Sequence, residues 1–432
     1  MSCVLLVDVG GTFIKFSVDE TSNSNPPVVH RLSLPEPSVD SIGGRIVSVN
    51  ALTHAIGSVI DSVSSGSSKI DGVFVTGQMH GLVLVDESLS VHSEVYTWRS
   101  SAKTAAGAAA HLEVEMQMTD SQRFRTGNEL RSGSPLATLY ALRTHNRLLN
   151  GLTVISLISF VALTIADRER NLVLHDSDAA AFGFFNLLRS EWDTELLETL
   201  DLLNLVLPAV SSVPKCVGVN RQLNCPVFTA VGDHQASLLG VGLMPTEVSV
   251  NLATGGQVSR IVKRPDVVAQ CRPYFNNSYL SCVTHIPAGR SLNVLVRLLT
   301  ETGAMGRDEA WDYVSRETRL SRNSDLLVRG SFFSGHFGET GSIERINEDN
   351  FSIGGLFRAA LNNLSETVKD SIYRLVSSGP DAYSLVFSGG LLRTFPFLAQ
   401  EISDTTRLFR TQDSEDASID GIRVISRFSE PY

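Results

Sequence analysis

A carboxylate delivered at the tip of an apolar strand is well placed to take a proton in a cleft, and the stretch Thr229-Ala-Val-Gly-Asp-His-Gln-Ala-Ser237 has that form. Residues 227–231 are an apolar run interrupted only by Thr229, Gly232 ends the run, and Asp233 follows. Such an acid can accept the proton of a hydroxyl nucleophile during group transfer. On local sequence alone it reads first as the N-cap of the helix that begins near Gln235. The remaining residues of chemical type lie in glycine turns. Asp8 is followed by Gly10, Gly11 and Thr12, with Lys15 just beyond. Glycine backbone open to a ligand, a hydroxyl and a nearby cation suit a phosphate group. Gly77-Gln-Met-His-Gly81 puts Gln78, Met79 and His80 at a strand end, where α/β proteins bind ligands, although His80 serves equally well as an ordinary turn histidine. Neither turn has the spacing of a Walker loop or of a Gly-x-Gly-x-x-Gly fingerprint.

The elements that would position these groups follow from periodicity. Residues 3–8 and 13–18 form a hairpin around the Gly10-Gly11 turn, and apolar residues at steps of three and four make a helix over 46–63. Residues 72–76 are a buried strand. Helices are expected over 104–118, 137–146 and 190–206, the last carrying Trp192, and residues 151–166 form an apolar helix or strand pair. Residues 225–231 are the strand that presents Asp233. The second half repeats the first: the strand 248–256 ends in Thr254-Gly255-Gly256 with 258–262 as its hairpin partner, a long helix covers 356–375, and the strand from 384 ends in Gly389-Gly390. Two glycine turns facing each other would clamp a nucleotide's phosphates from both sides. The boundary falls near Pro245, giving an N-terminal domain of residues 1–244 that carries Asp233 and a C-terminal, nucleotide-binding domain of residues 245–432.

A chain of 432 residues is too long for one ordinary core, which agrees with two domains. Its net charge of −10 argues against a nucleic-acid surface. The five cysteines lack Cys-x-x-Cys spacing, so free thiols in a reducing compartment are expected. The start lacks a basic signal-type region and no apolar run has membrane-spanning length; a cytoplasmic protein without membrane or nucleic-acid partners is the expectation.

Taken in order, these segments resemble the carbohydrate kinases of the FGGY family. Asp8-Val-Gly-Gly-Thr12 is similar to the first phosphate motif, Gly77–Gly81 to the sugar loop, Gly232-Asp-His-Gln-Ala236 to the catalytic motif, Asn251-Leu-Ala-Thr-Gly255 to the second phosphate motif and Ser388-Gly-Gly390 to the adenosine motif. The resemblance implies an α/β fold of two duplicated actin-like (ribonuclease H-like) ATPase domains with a cleft between them. It also implies ATP and Mg²⁺ as cofactors. Asp233 would be the base and would also contact the sugar with Gln78, Met79 and His80. Asp8 would help hold the metal, and Gly10, Gly11, Thr12, Lys15, Thr254, Gly255, Gly389 and Gly390 would line the nucleotide. Residues 176–186 and 272–277 look most like the sedoheptulokinase branch, which implies phosphorylation of the terminal hydroxyl of D-sedoheptulose. A pentulose kinase of xylulokinase type and a non-catalytic sugar sensor are the alternatives. Two departures stand out. The family's Trp-x-Asp-x-Arg is here Trp98-Arg-Ser-Ser-Ala102, and Gly335-His-Phe-Gly-Glu339 is followed by Thr340 where relatives tend to carry Arg.

Overall fold

The fold was analysed in a computed structural model, which describes residues 3–20, 27–66, 68–266, 269–301, 303, 305–321, 325–332, 337–338, 340–377, 383–403, 408–412, 414 and 416–428. Its centre is the strand Cys3–Val9, buried along its whole length. It pairs antiparallel with Phe13–Glu20, placing Asp8 opposite Lys15. On its other side it runs parallel to Ile70–Gly77. These strands belong to a seven-stranded sheet that also contains His30–Ser33, Cys216–Asn220, Cys225–Phe228 and Val231–Gly232.

Side chains alternate across a strand, and both faces of Cys3–Val9 are covered. Leu5, Val7 and Val9 pack with Leu52, Ile56, Val59 and Val63 of the helix Val49–Ser64. Val4 and Leu6 pack with Ile419, Ile422 and Ile425 of the C-terminal helix, Ala417–Phe428. Each such isoleucine contributes roughly 1.5–3 kcal/mol by burial. The alternation also puts Asp8 on the face of Val4 and Leu6, beneath the start of that helix.

The second sheet has six strands in the order Gln270–Tyr274, Ser278–Pro287, Gly255–Val262, Glu247–Leu252, Ser384–Ser388 and Phe409–Thr411. Glu247–Leu252 is antiparallel to Gly255–Val262 and parallel to Ser384–Ser388. The arrangement of the first sheet is thus repeated, and the 24-residue helix Ile353–Val376 covers one face of the second through Phe357, Leu361, Leu364 and Val368. The helix Asp233–Gly240 lies against both sheets: Ala236 packs with Leu6 and Phe74, and Leu238 packs with Leu280 and Val386. It meets the C-terminal helix at two glycines. A Cβ on Gly421 would stand 1.8 Å from the Ala236 carbonyl oxygen, and one on Gly240 2.0 Å from that of Ala417.

Several local expectations need correction. The alanine-rich stretch 104–118 is helical only over Ala110–Gln117, because Gly107 takes φ +85° in a turn ahead of it. Trp192 lies on the short strand Glu191–Trp192, and only Thr194–Thr199 of the expected 190–206 helix is helical. Ile46 belongs to the strand Arg45–Val47, so the helix starts at Val49. Residues 151–166 resolve into the strand Thr153–Ile155 and the helix Leu157–Ile165. Among the described residues, no helix is long and apolar enough to cross a membrane.

Candidate active site

Asp233 is the first residue of the helix Asp233–Gly240, and the N-cap is Gly232. The cap expected of the Asp233 side chain is therefore absent; extended backbone at Gly232 (φ −59°, ψ 138°) makes the turn instead. The Gly232 amide donates to Ser177 Oγ at 3.1 Å, and Thr76 Oγ1 donates to the Val231 carbonyl at 2.7 Å. Both bonds fix the strand end that carries the acid.

A helix N-terminus favours a carboxylate, yet Asp233 is pushed up to about 7. Desolvation is the larger cause and the neighbouring Asp8 charge the second. Arg272, the His234 amide and Lys15 pull the other way without prevailing. A carboxyl poised near neutrality suits a general base.

Asp8 is buried, and its Oδ2 accepts from Ser418 Oγ at 2.7 Å and from Lys15 Nζ at 3.2 Å. Lys15 also lies 2.8 Å from Asp416 Oδ1, and Arg31 approaches the other oxygen, Asp416 Oδ2, at 2.7 Å. The acid of the first hairpin is thus held by residues that enter from the far end of the chain, Asp416 and Ser418. The turn itself is open: a Cβ on Gly10 would meet only the Phe13 carbonyl oxygen, at 3.2 Å. On Gly11 it would meet the side chains of Arg99, Gln78 and Trp98 at 3.4–3.9 Å.

In the sugar-type loop, Gln78 and Met79 are buried. Met79 reaches Gly232, where a Cβ would lie 3.0 Å from its Sδ, so this loop abuts the turn before Asp233. His80 takes φ +64°, in the left-handed region. Its Nδ1 lies 2.9 Å from the Ala181 carbonyl oxygen and its Nε2 3.1 Å from Glu129 Oε1. Glu129 is the centre of a buried network. Arg272 donates to it through Nη2 at 2.8 Å and Nε at 3.2 Å, and through Nη1 to His234 Nδ1 at 2.8 Å. His234 Nε2 then donates to Ser259 Oγ at 3.0 Å. Burial acts to raise the Glu129 carboxyl, but Arg272 and His80 hold it well below the usual carboxylate range. Burial and Arg272 push His234 down to about 3, keeping it neutral. The sugar-type loop, the residue after Asp233 and the second sheet are thereby linked through one ion pair.

At the second turn the Gly289 amide donates to the Ala253 carbonyl at 3.0 Å and the Arg290 amide to that of Thr254 at 2.7 Å. A Cβ on Gly255 would meet nothing within 4 Å. Gly389 has φ +106°, with Gly390 opening the helix Gly390–Thr394 behind it. Asp8, Asp233, Gln78 and Met79 therefore converge, whereas Glu129, Asp416 and Ser418 carry no sequence signal that marks them. Of the segment at Gly335, residues 335, 336 and 339 lie outside the described residues.

Residues 3–240 match the model of the FGGY family of carbohydrate kinases, N-terminal domain. The chain belongs to the FGGY family of carbohydrate kinases. It is similar to sedoheptulokinase of Mus musculus, at 20% identity over 90% of this chain and 92% of that one. Its fold is that of a ligand-bound xylulose kinase from Lactobacillus acidophilus, with a TM-score of 0.81, 17% identity, and 99% of this chain and 89% of that one covered. A glycerol kinase from Plasmodium falciparum with ADP aligns at a TM-score of 0.78 and 14% identity, covering 98% and 89% of the two chains. The duplicated sheets are those of the two-domain actin-like ATPase fold.

Proposed function

We propose that this FGGY kinase transfers the terminal phosphoryl group of ATP to the terminal hydroxyl of a ketose, converting D-sedoheptulose to sedoheptulose 7-phosphate. The observation that carries the reading is Asp233: its carboxyl is pushed up to about 7, with Asp8 near enough to contribute and Met79 against the preceding glycine. Asp233 takes the proton of the attacking hydroxyl, which is too weak a nucleophile unaided. Gln78, Met79 and His80 position the sugar. The open turns at Gly10–Thr12 and Thr254–Gly255 receive the phosphates, and Gly389–Gly390 lies under the adenine. Among the described residues no group of three or more His, Cys, Asp or Glu is placed to hold a metal. Mg²⁺ keeps water and phosphate ligands and needs one or two protein carboxylates; Asp8 would supply one, and the ion when bound would offset negative charge on the phosphates. Lys15 stands between Asp8 and Asp416 and holds Asp8 in place. We assign sugar binding to residues 1–244 and nucleotide binding to residues 245–432, and place the protein in the cytoplasm, where its five free cysteines stay reduced.

D-sedoheptulose is favoured by the resemblance of residues 176–186 and 272–277 and by the similarity to the mouse sedoheptulokinase along most of the chain. A sugar sensor without turnover is favoured by one feature. Ser100 and Ala102 stand where the family has Asp and Arg, and both serve the fold: Ser100 Oγ accepts from the Arg45 amide at 3.0 Å and Ala102 is buried in a core cluster. Coupled ADP release separates the readings. Release stimulated by D-sedoheptulose above D-xylulose supports the proposal, equal stimulation points to a broader ketose kinase, and sugar binding without release to the sensor.

A further inference from the structure

The strand Ser278–Pro287 carries an irregularity that the roles above leave unused. Gly256 pairs with Ile286 and Val258 with Val283, so Gln257 stands opposite two residues, Thr284 and His285. That is a β-bulge, and its second residue, His285, takes φ +61°. Among the described residues it is the one non-glycine inside a strand or helix with a left-handed φ. Such backbone is unfavourable for a residue with a Cβ and gathers at functional sites, where a bulge re-aims a side chain. The re-aiming can be followed along the strand. Side chains alternate, so residues 283 and 286 of an unbroken strand would point to opposite faces. Here Val283 and Ile286 both enter the core beneath the helix Ile353–Val376. The extra residue therefore leaves Thr284 and His285 together on the other face. That face carries Gln270 and Arg272 of the neighbouring strand, whose side chains bond Glu129.

Hydrogen bonds running outward from Glu129 fix the state of the ring. Gln270 donates its amide Nε2 to Glu129 Oε2, which turns Oε1 toward Thr284. Thr284 Oγ1 gives its proton to that oxygen at 2.9 Å. It must then accept from His285, which places the ring proton on Nδ1, 2.9 Å away. Burial first, with His80, Arg131 and Arg272 behind it, pushes His285 down to about 4, so the ring is neutral. Nε2 is left as an acceptor, without a partner among the described residues, on a partly exposed ring. His80, bonded to the same Glu129, is the reverse case: Nδ1 faces the Ala181 carbonyl and Nε2 the carboxylate, so both nitrogens are engaged within the protein. An unprotonated ring nitrogen suits a hydroxyl, which donates, and not a phosphate oxygen, which accepts. We propose that His285 Nε2 accepts a hydrogen bond from a hydroxyl of the bound ketose, adding a sugar contact from the C-terminal half to those of Gln78, Met79 and His80. The contact rests on reading this site as a ketose site, and it gives the sugar a hold on each half of the molecule.

The test uses the full chain and its His285→Gly and His285→Gln variants, with titration calorimetry against D-sedoheptulose, D-xylulose and Mg²⁺ with AMP-PNP. Glycine relieves the left-handed backbone, so His285→Gly should melt no lower than wild type. Its affinity for the ketose should nevertheless fall about tenfold, while AMP-PNP binding stays within a few-fold. His285→Gln carries an amide oxygen at about the reach of Nε2 and should recover part of the loss. In turnover the Gly variant should raise KM with kcat within a few-fold, as for a contact made equally before and during the reaction. The contact is overturned if His285→Gly melts lower and loses both ligands together, which would make the ring a support of the strand. It is also overturned if the variant keeps the ketose affinity of wild type, or if AMP-PNP alone weakens, which would assign the ring to the turn at Gly255. Sugar-stimulated ADP release by wild type tests the kinase reading separately. Ketose binding without release removes the kinase step, while a weakened Gly variant still upholds the contact; release intact with an unaltered variant removes the contact alone. A wild type that binds neither ketose sinks both.

Discussion

The two glycine turns share a backbone and differ in charge. In the first hairpin the pair next to the turn's last rung is Asp8 opposite Lys15; in the second the same place holds Asn251 opposite Gln257. Each hairpin has a parallel strand beside it, Ile70–Gly77 for the first and Ser384–Ser388 for the second. Around Asp8 are Lys15, Asp416 and Ser418, whereas the second turn is held by backbone bonds to Gly289 and Arg290. Cradling phosphate oxygens requires only open amides, which either turn can supply. A turn beside the reacting atoms needs a fixed charge as well, and that charge must itself be held in place. Duplication explains the common backbone; the site uses the side chains asymmetrically.

The sharpest way to break this comparison is at the acids. Asp233→Asn should lower sugar-dependent ADP release by about 10²–10⁴-fold with nucleotide affinity within a few-fold, and near-normal turnover would remove Asp233 from the mechanism. Asp8→Asn should cost roughly 10²-fold in turnover, while Asn251→Ala, at the matching place, costs less than about tenfold. Equal losses at the two positions would mean that the turns are not specialised. The glycines differ in a second way. Gly389→Ala meets both φ +106° and the Leu252 carbonyl oxygen at 2.3 Å, so urea denaturation should show a loss of about 1–3 kcal/mol. Gly255→Ala has open space around it and should change stability by no more than about 0.5 kcal/mol while weakening AMP-PNP binding.

What could be read from the chain followed the range of the signal. The hairpin over residues 3–8 and 13–18 is legible because a continuous apolar run and Gly-Gly are local signals, and so is the repeat, since its two copies share an order. Trp192 lies on a strand, although an apolar residue among Leu and Glu looks helical, because Phe182, Phe184 and Phe185 gather around it. The local cap reading of Asp233 fails because the cap position is decided by the φ and ψ of Gly232, which composition does not encode; its assignment as the base does not depend on that reading. Ser418 is 410 residues from Asp8, and no periodicity joins them. The pairing of Glu129 with Arg272 is equally silent, since the segment 272–277 carries a resemblance but nothing in it points to Glu129, and only burial reveals the network.

The smallest effect concerns the coupling of Asp8 to Asp233. In the unfolded chain an Asp carboxyl titrates near 3.9, and here Asp233 is pushed up to about 7. The fold therefore prefers the protonated acid: the stability it contributes is complete below about pH 4 and is lost as pH rises through about 7. Asp233→Asn lacks this titration, so in metal-free buffer the stability of wild type relative to the variant should fall by a few kcal/mol at most between those limits, as read by urea denaturation. Activity runs the other way, because a base must be ionised, and kcat/KM should climb toward pH 7. Asp8→Asn removes one of the two causes that raise Asp233, the smaller one, and should move the stability loss to lower pH without restoring an ordinary carboxylate. A titration that stayed put would show that desolvation alone sets the acid, and that the charge gathered at the first turn does not reach the base.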